Sequence, residues 1–266
     1  MVNLSVNVNK VATLRNSRGG RLPSVVEAVH TIVEAGAPGI TVHPRADARH
    51  ITHQDVLDIA AALQPLRGRV EFNIEGDIRP DLMALVQQVR PDQCTLVPVL
   101  AGEVTSQGGW PVETPVESLR GTIAGLRAAG IRVSLFIDPD VAAVRWAAGL
   151  RADRVELFTE PFARAFEAGP DVTDAAMQAC TAAAEAAHQL GLGVNAGHDL
   201  DHRNLVRFRE LPHLDEVSIG HALVSRALFD GLAATVRTYL DVLAASGGSA
   251  ASHEDGRGAR RSRREE

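Results

Sequence analysis

Short runs of β-branched and aliphatic residues alternate with longer stretches in which apolar positions recur every three or four residues. The runs are Leu4–Val8, Gly39–His43, Val70–Asn73, Gln93–Val97, Arg132–Ile137, Arg154–Leu157, Gly193–Asn195 and Glu216–Ile219, and they predict eight strands. Several are apolar at nearly every position, as in Val133–Ile137, which is expected of parallel strands covered on both faces. The stretches between predict amphipathic helices with legible ends. Ser24-x-x-Glu27 has the form of a capping box, and Thr52-x-x-Asp55 is a weaker version. Pro80 and Pro115 fall in first turns, and Asp171 or Thr173 opens an Ala-rich helix ending near Leu190. Gly36, Gly130, Gly149 and Gly191 each close a helix shortly before a strand, where a left-handed residue is favoured.

Eight such units in 266 residues predict a single α/β domain, a (β/α)8 barrel over residues 1–245. An open doubly wound sheet would carry a Gly-rich dinucleotide loop after its first strand, and none is present. Three connections are long: Val11–Pro23, read as a polar loop; Pro98–Glu113; and Phe158–Pro170, with a short helix near Ala163–Glu167. Long βα loops usually form walls or lids. Residues 246–266 are rich in Gly, Ser and Ala, then in Arg and Glu, and are predicted to be a disordered tail.

A net charge of -6 argues against a nucleic-acid-binding surface. Cys94 and Cys180 are far apart without metal-type spacing, no apolar run reaches the roughly 18 residues of a membrane span, and no leader pattern opens the chain. A cytoplasmic protein is expected. Of the 27 basic residues only Lys10 is a lysine, which suggests that an ammonium is needed there.

In a barrel, polar residues at the C-terminal ends of strands line the active site. Here those positions hold Asn7, Asn9 and Lys10, then His43, Arg45 and His50, then Glu75, Thr105, Glu156, His198 and Asp199, and finally Gly220 and His221. By period two, Asn7 and Asn9 share a face. The remaining histidines, apart from His253 in the tail, fall in helical patterns or at their edges and read as surface or packing residues. The ends of strands seven and eight, with Gly197 and Gly220, suit a phosphate. Arg15, Arg18 and Arg21 after strand one, with Arg45, offer a second anion site. Zinc ligation by His43, His50, His198 and His221 is disfavoured, because Lys10 and the arginines would repel a cation.

With these residues in view, the chain resembles the pyridoxine 5′-phosphate synthase family. The matching segments are Val-Ala-Thr-Leu-Arg-Asn-Ser-Arg-Gly at 11–19, Gly-Ile-Thr-Val-His-Pro-Arg at 39–45, Arg-His-Ile-Thr at 49–52, Leu-Val-Pro at 96–98 and Glu-Val-Thr at 103–105. Val-Ser-Leu-Phe-Ile-Asp at 133–138, Val-Asn-Ala-Gly-His at 194–198 and Ile-Gly-His-Ala at 219–222 complete the set. The resemblance implies a barrel with extra helices, an octamer, and no cofactor or metal. It implies condensation of 3-amino-2-oxopropyl phosphate with 1-deoxy-D-xylulose 5-phosphate, releasing phosphate and water. His43 and Glu75 are then the proton acceptors, His198 the proton donor, and Glu156 a stabiliser of the transition state. Arg45, His50 and Thr105, with Asn9 and Lys10, would hold deoxyxylulose phosphate; Asn7, Arg18, Gly220 and His221 would hold the aminoketone phosphate. Better-known members read Asn-x-Asp-His after strand one and Gly after the strand-seven His, whereas this chain has Asn7-Val-Asn9-Lys10 and Asp199. Asp199 is placed with the substrate-binding set. Two other readings remain: a Schiff-base lyase or aldolase using Lys10, and a phosphate-ligand-binding barrel without turnover.

Overall fold

Along each strand, residues alternate between two buried environments. The computed structural model describes residues 1–99 and 105–245. Its strands are β1 (Asn3–Asn7), β2 (Gly39–Val42), β3 (Glu71–Gly76), β4 (Gln93–Leu96), β5 (Arg132–Ile137), β6 (Arg154–Phe158), β7 (Gly193–Gly197) and β8 (Leu214–Ile219). They pair in parallel in chain order, and β8 closes onto β1. The helices are α1 (Asn9–Asn16), α2 (Val25–Glu34), α3 (His53–Leu63), α4 (Pro80–Val89), α5 (Val116–Ala128), α6 (Val141–Gly149), α7 (Glu160–Ala168), α8 (Pro170–Gln189), α9 (Leu205–Phe208), α10 (His221–Asp230) and α11 (Leu232–Ala244). The expected (β/α)8 barrel is therefore present. The predicted tail and the first part of the Glu-Val-Thr motif lie outside the described residues.

The strands are covered on both faces as expected, but the two faces differ in chemistry. Leu4, Val6, Ile40, Val42, Ile74, Leu96, Val133, Leu135, Val155, Leu157, Val194 and Val217 join helix residues such as Ile32, Ile59 and Leu82 in one core. The alternate residues form a polar network across the barrel. Ser5 and Thr41 hydroxyls lie 2.7 Å apart, Thr95 reaches Asn73 at 3.2 Å, and Arg132 Nε donates to Gln93 at 3.0 Å. Arg154 donates to Asn195 at 2.8 Å, and Asn195 donates to Glu216 at 3.2 Å. Buried polar groups are costly unless paired, and this network pairs most of them; among the described residues, the Ser134 hydroxyl is the exception on β5.

Local signals also resolve differently. The segment after β1 is a helix, α1, so Asn9 and Lys10 start a helix and do not extend the strand. Arg15 Nη2 donates to Asp55 at 2.9 Å, which makes Arg15 a strut between α1 and α3. Thr52 and Asp55 form the complete capping box; at α2 the Ser24 hydroxyl accepts from the Glu27 N–H without the reciprocal bond. The reason is that Asp55 is held in place by Arg15, whereas Glu27 is exposed. Gly149 remains helical, and the left-handed turn falls to Arg151 at φ 62°. Among the described residues, no helix is long and apolar enough to cross a membrane.

Candidate active site

The C-terminal ends of the strands surround a cavity of about 490 Å³. Its floor holds Glu75 and Glu156, both buried. Asn7 Nδ2 and Ser218 Oγ each donate to Glu75 at 3.4 Å. Burial pushes the Glu75 carboxyl up to about 8 against the Ser218 bond, with a further push from the Glu216 charge. Burial, then the charge of Glu75, raises Glu156 well above the carboxylate range. Thr95 Oγ1 lies 3.3 Å from Glu156 and 3.2 Å from the Asn73 carbonyl oxygen. The Thr95 hydroxyl is shared between these two acceptors, and its bond to Glu156 works against the raising of that carboxyl.

His43 follows β2 and places Nδ1 3.7 Å from Glu75 Oε2. Burial, then the charges of Arg45, His50 and Arg79, lower its imidazole to about 3, so the ring is neutral at pH 7. Its Nε2 is buried and has no partner among the described residues. Asn9 fixes this corner: its backbone N–H donates to Asn7 Oδ1 at 3.0 Å, and its Oδ1 accepts from the His43 N–H at 2.9 Å. His50 Nδ1 accepts from the Ile51 N–H at 2.9 Å, which leaves its proton on Nε2. Burial and Arg45, then Lys10 and Arg49, lower His50 to about 4.

Across the mouth, β7 runs into a turn in which His198 has φ 87° and Asp199 φ 60°. The Thr159 hydroxyl donates to the Gly197 carbonyl at 2.8 Å and also to that of His198. His198 Nε2 lies 2.9 Å from Thr105 Oγ1, and Nδ1 lies 2.9 Å from Asp199 Oδ2. Gly197 is glycine for space: a Cβ there would stand 2.4 Å from Glu156 Oε1.

Every predicted site residue lines this cavity except Arg18, which is exposed in the turn behind α1. Arg15 is committed to Asp55 and Arg21 is exposed, and neither lines the cavity. Arg45, Arg49 and His50 do line it. Sequence reasoning missed Thr13, Arg49, Val97, Ser106, Phe136 and Ser218 as lining residues. Period two from Glu75 and Glu156 would have found Phe136 and Ser218 only with the strand registers in hand, and those are tertiary.

The comparisons with known proteins agree. Residues 4–245 match the family model of pyridoxal phosphate biosynthesis protein PdxJ. The pyridoxine 5′-phosphate synthase of Leptospira biflexa is 47% identical over 253 residues, covering 91% of this chain and 97% of that protein. The pyridoxine 5′-phosphate synthase of Porphyromonas gingivalis is 49% identical over 245 residues, covering 92% and 100%. Among solved structures, 3-hexulose-6-phosphate synthase from Salmonella typhimurium superposes with a TM-score of 0.60 at 16% identity, covering 91% of this chain and 98% of that one. That likeness speaks for the barrel alone. From the eight-stranded barrel, the acid-floored cavity and these matches, the chain belongs to the PdxJ family of pyridoxal phosphate biosynthesis proteins.

Proposed function

We propose that this chain is a pyridoxine 5′-phosphate synthase that joins 3-amino-2-oxopropyl phosphate to 1-deoxy-D-xylulose 5-phosphate. The observation that carries this reading is the gathering of His43, Glu75, Glu156 and His198 around one cavity whose mouth is rich in cations. A condensation with phosphate loss and ring closure needs repeated proton transfers, hence several acids and bases poised in different states. His43 is neutral at the cavity wall, which suits a proton acceptor. Burial favours the proton on Glu75; the cationic amine of the aminoketone would draw its pKa down and release a base. Glu156, whose burial and neighbour Glu75 favour the protonated form, can donate to oxygen where negative charge develops. His198 gives a proton to the leaving phosphate.

Arg45 and His50, with Asn9, Lys10 and Thr105, face deoxyxylulose phosphate in this assignment; Asn7, Gly220 and His221 face the aminoketone phosphate. Arg18, exposed in the turn behind α1, joins the aminoketone-phosphate set by the resemblance alone. Lys10 is exposed on the first turn of α1 and close enough to Asp199 to help hold that carboxylate ionised. This suits a point charge for an anion better than a desolvated Schiff-base amine. Leu228 and Phe229 stand exposed on α10, which supports the self-association implied by the resemblance; light scattering would measure it. The deciding assay mixes the full chain with both substrates and follows phosphate and pyridoxine 5′-phosphate. Both products should form only when both substrates are present. Binding without release of either product would make the chain a phosphate-ligand-binding barrel.

A further inference from the structure

Left-handed backbone at a single position is ordinarily given to glycine. The turn after β7 instead places two side-chain-bearing residues there in succession, His198 and Asp199. It is pinned from two sides. Thr159 donates to the Gly197 and His198 carbonyls, and Asn204 Nδ2 donates to the Asp199 carbonyl at 3.2 Å. What the unfavourable backbone gains is a contact: Asp199 Oδ2 lies 2.9 Å from His198 Nδ1, while Nε2 of the same ring lies 2.9 Å from the Thr105 hydroxyl.

We propose that the Asp199 carboxylate is a positioning residue for His198, holding the ring proton on Nδ1 so that Nε2 faces the substrate beside Thr105. The proposal rests on the reading of His198 as the proton donor to the leaving phosphate. An ionised carboxylate can only accept, so the hydrogen between the two residues belongs to Nδ1. The hydrogen bond from His198, with the nearby His221 and Lys10 charges, keeps Asp199 ionised against its partial burial. Protonated, the ring carries its second proton on Nε2. When the Nε2–H bond breaks, that proton goes to the oxygen of the departing phosphate and the electron pair stays on Nε2. The product ring is the neutral Nδ1–H form already held by Asp199, with the Thr105 hydroxyl able to donate to Nε2. No rotation or change of tautomer separates one turnover from the next.

Two measurements on the full chain test this. Ring nitrogen NMR of 15N-histidine protein, with His198 assigned by its loss in His198→Gln, should show the neutral ring as Nδ1–H. In Asp199→Gly it should shift towards the Nε2–H form. Asp199→Gly should lower kcat about tenfold, with KM for each substrate changed less than about threefold, because misorienting a general acid forfeits part of its roughly 10²–10⁴-fold contribution. Glycine fits the φ of 60°, so Asp199→Gly should melt no lower than the parent, separating this role from a structural one. Asp199→Asn, whose carbonyl can still accept, should recover most of the rate. An Nε2–H ring in the parent protein overturns the proposal. So does an unchanged kcat with a raised KM in Asp199→Gly, which would make Asp199 a substrate ligand. If the parent makes no pyridoxine 5′-phosphate, the synthase reading fails by itself, and the NMR still decides the Asp199–His198 pair.

Discussion

His43 Nδ1 and Glu75 Oε2 lie 3.7 Å apart at the cavity floor, both side chains about nine-tenths buried. The ring is held neutral and the carboxyl is held protonated, so the pair meets without charge at pH 7. Two such groups can exchange a proton with a substrate without first breaking a salt bridge.

The state of Glu75 has a consequence for stability. Its folded pKa of about 8 lies above the ordinary 4.5, so the folded state binds more protons between those values. Its contribution is fully present below about pH 4.5 and lost as pH rises through about 8. Glu75→Gln should therefore be more stable than the parent at pH 8 to 9 and flatten the fall of stability with pH, read by urea unfolding. The same variant should lose about 10²-fold or more in kcat. A parallel pH dependence in both proteins would show that Glu75 titrates normally.

Gly197→Ala would drive a methyl group to 2.4 Å from Glu156 Oε1. The carboxyl has to move, because the other side of the clash is strand backbone. We expect about 1–3 kcal/mol of destabilisation and a drop in kcat of about tenfold or more. Steady-state kinetics with thermal melts would check both.

The α1 strut gives a third test. Asp55 receives Arg15 and the Thr52 N–H, the latter at 2.8 Å. Burial alone would raise its carboxyl, but the bonds from Arg15 and Thr52 outweigh burial and lower it. Its contribution is present above about pH 4 and lost as pH falls through the lowered value. Thr52→Ala should cost about 1 kcal/mol as a lost cap. Asp55→Ala should cost more, about 2–3 kcal/mol, and raise KM, because it frees Arg15 and loosens the helix that carries Asn9 and Lys10. Equal effects of the two variants on KM would argue against the strut.

Lys10→Ala should raise KM for deoxyxylulose phosphate about tenfold with kcat within about threefold, as for loss of a charge that binds ground and transition states alike. Borohydride treatment with either substrate should leave no adduct on the parent protein. A trapped adduct on Lys10 would revive the Schiff-base lyase reading.

The spacing of eight β-rich runs and their helix partners was enough to fix the barrel, because a parallel strand and its crossover helix form one local unit repeated in order. The strand-end positions of His43, Glu75, Glu156, His198 and His221 were likewise legible, since a closed barrel gathers the C-terminal ends of its strands at one mouth. What periodicity left open was which face of each strand turns inward. The inner face proved polar, a choice made by pairing between neighbouring strands: Ser5 with Thr41, and Arg154 with Asn195. The segment after β1 was misread as a loop because its helix is short and weakly amphipathic; α1 is held by Arg15 against Asp55, forty residues away. The sequence by itself thus determined the architecture and the mouth. The tertiary structure decided the protonation of Glu75, the tie from Asn9 to His43 and the Asp199–His198 contact, because burial and proximity between distant segments exist only once the chain has closed.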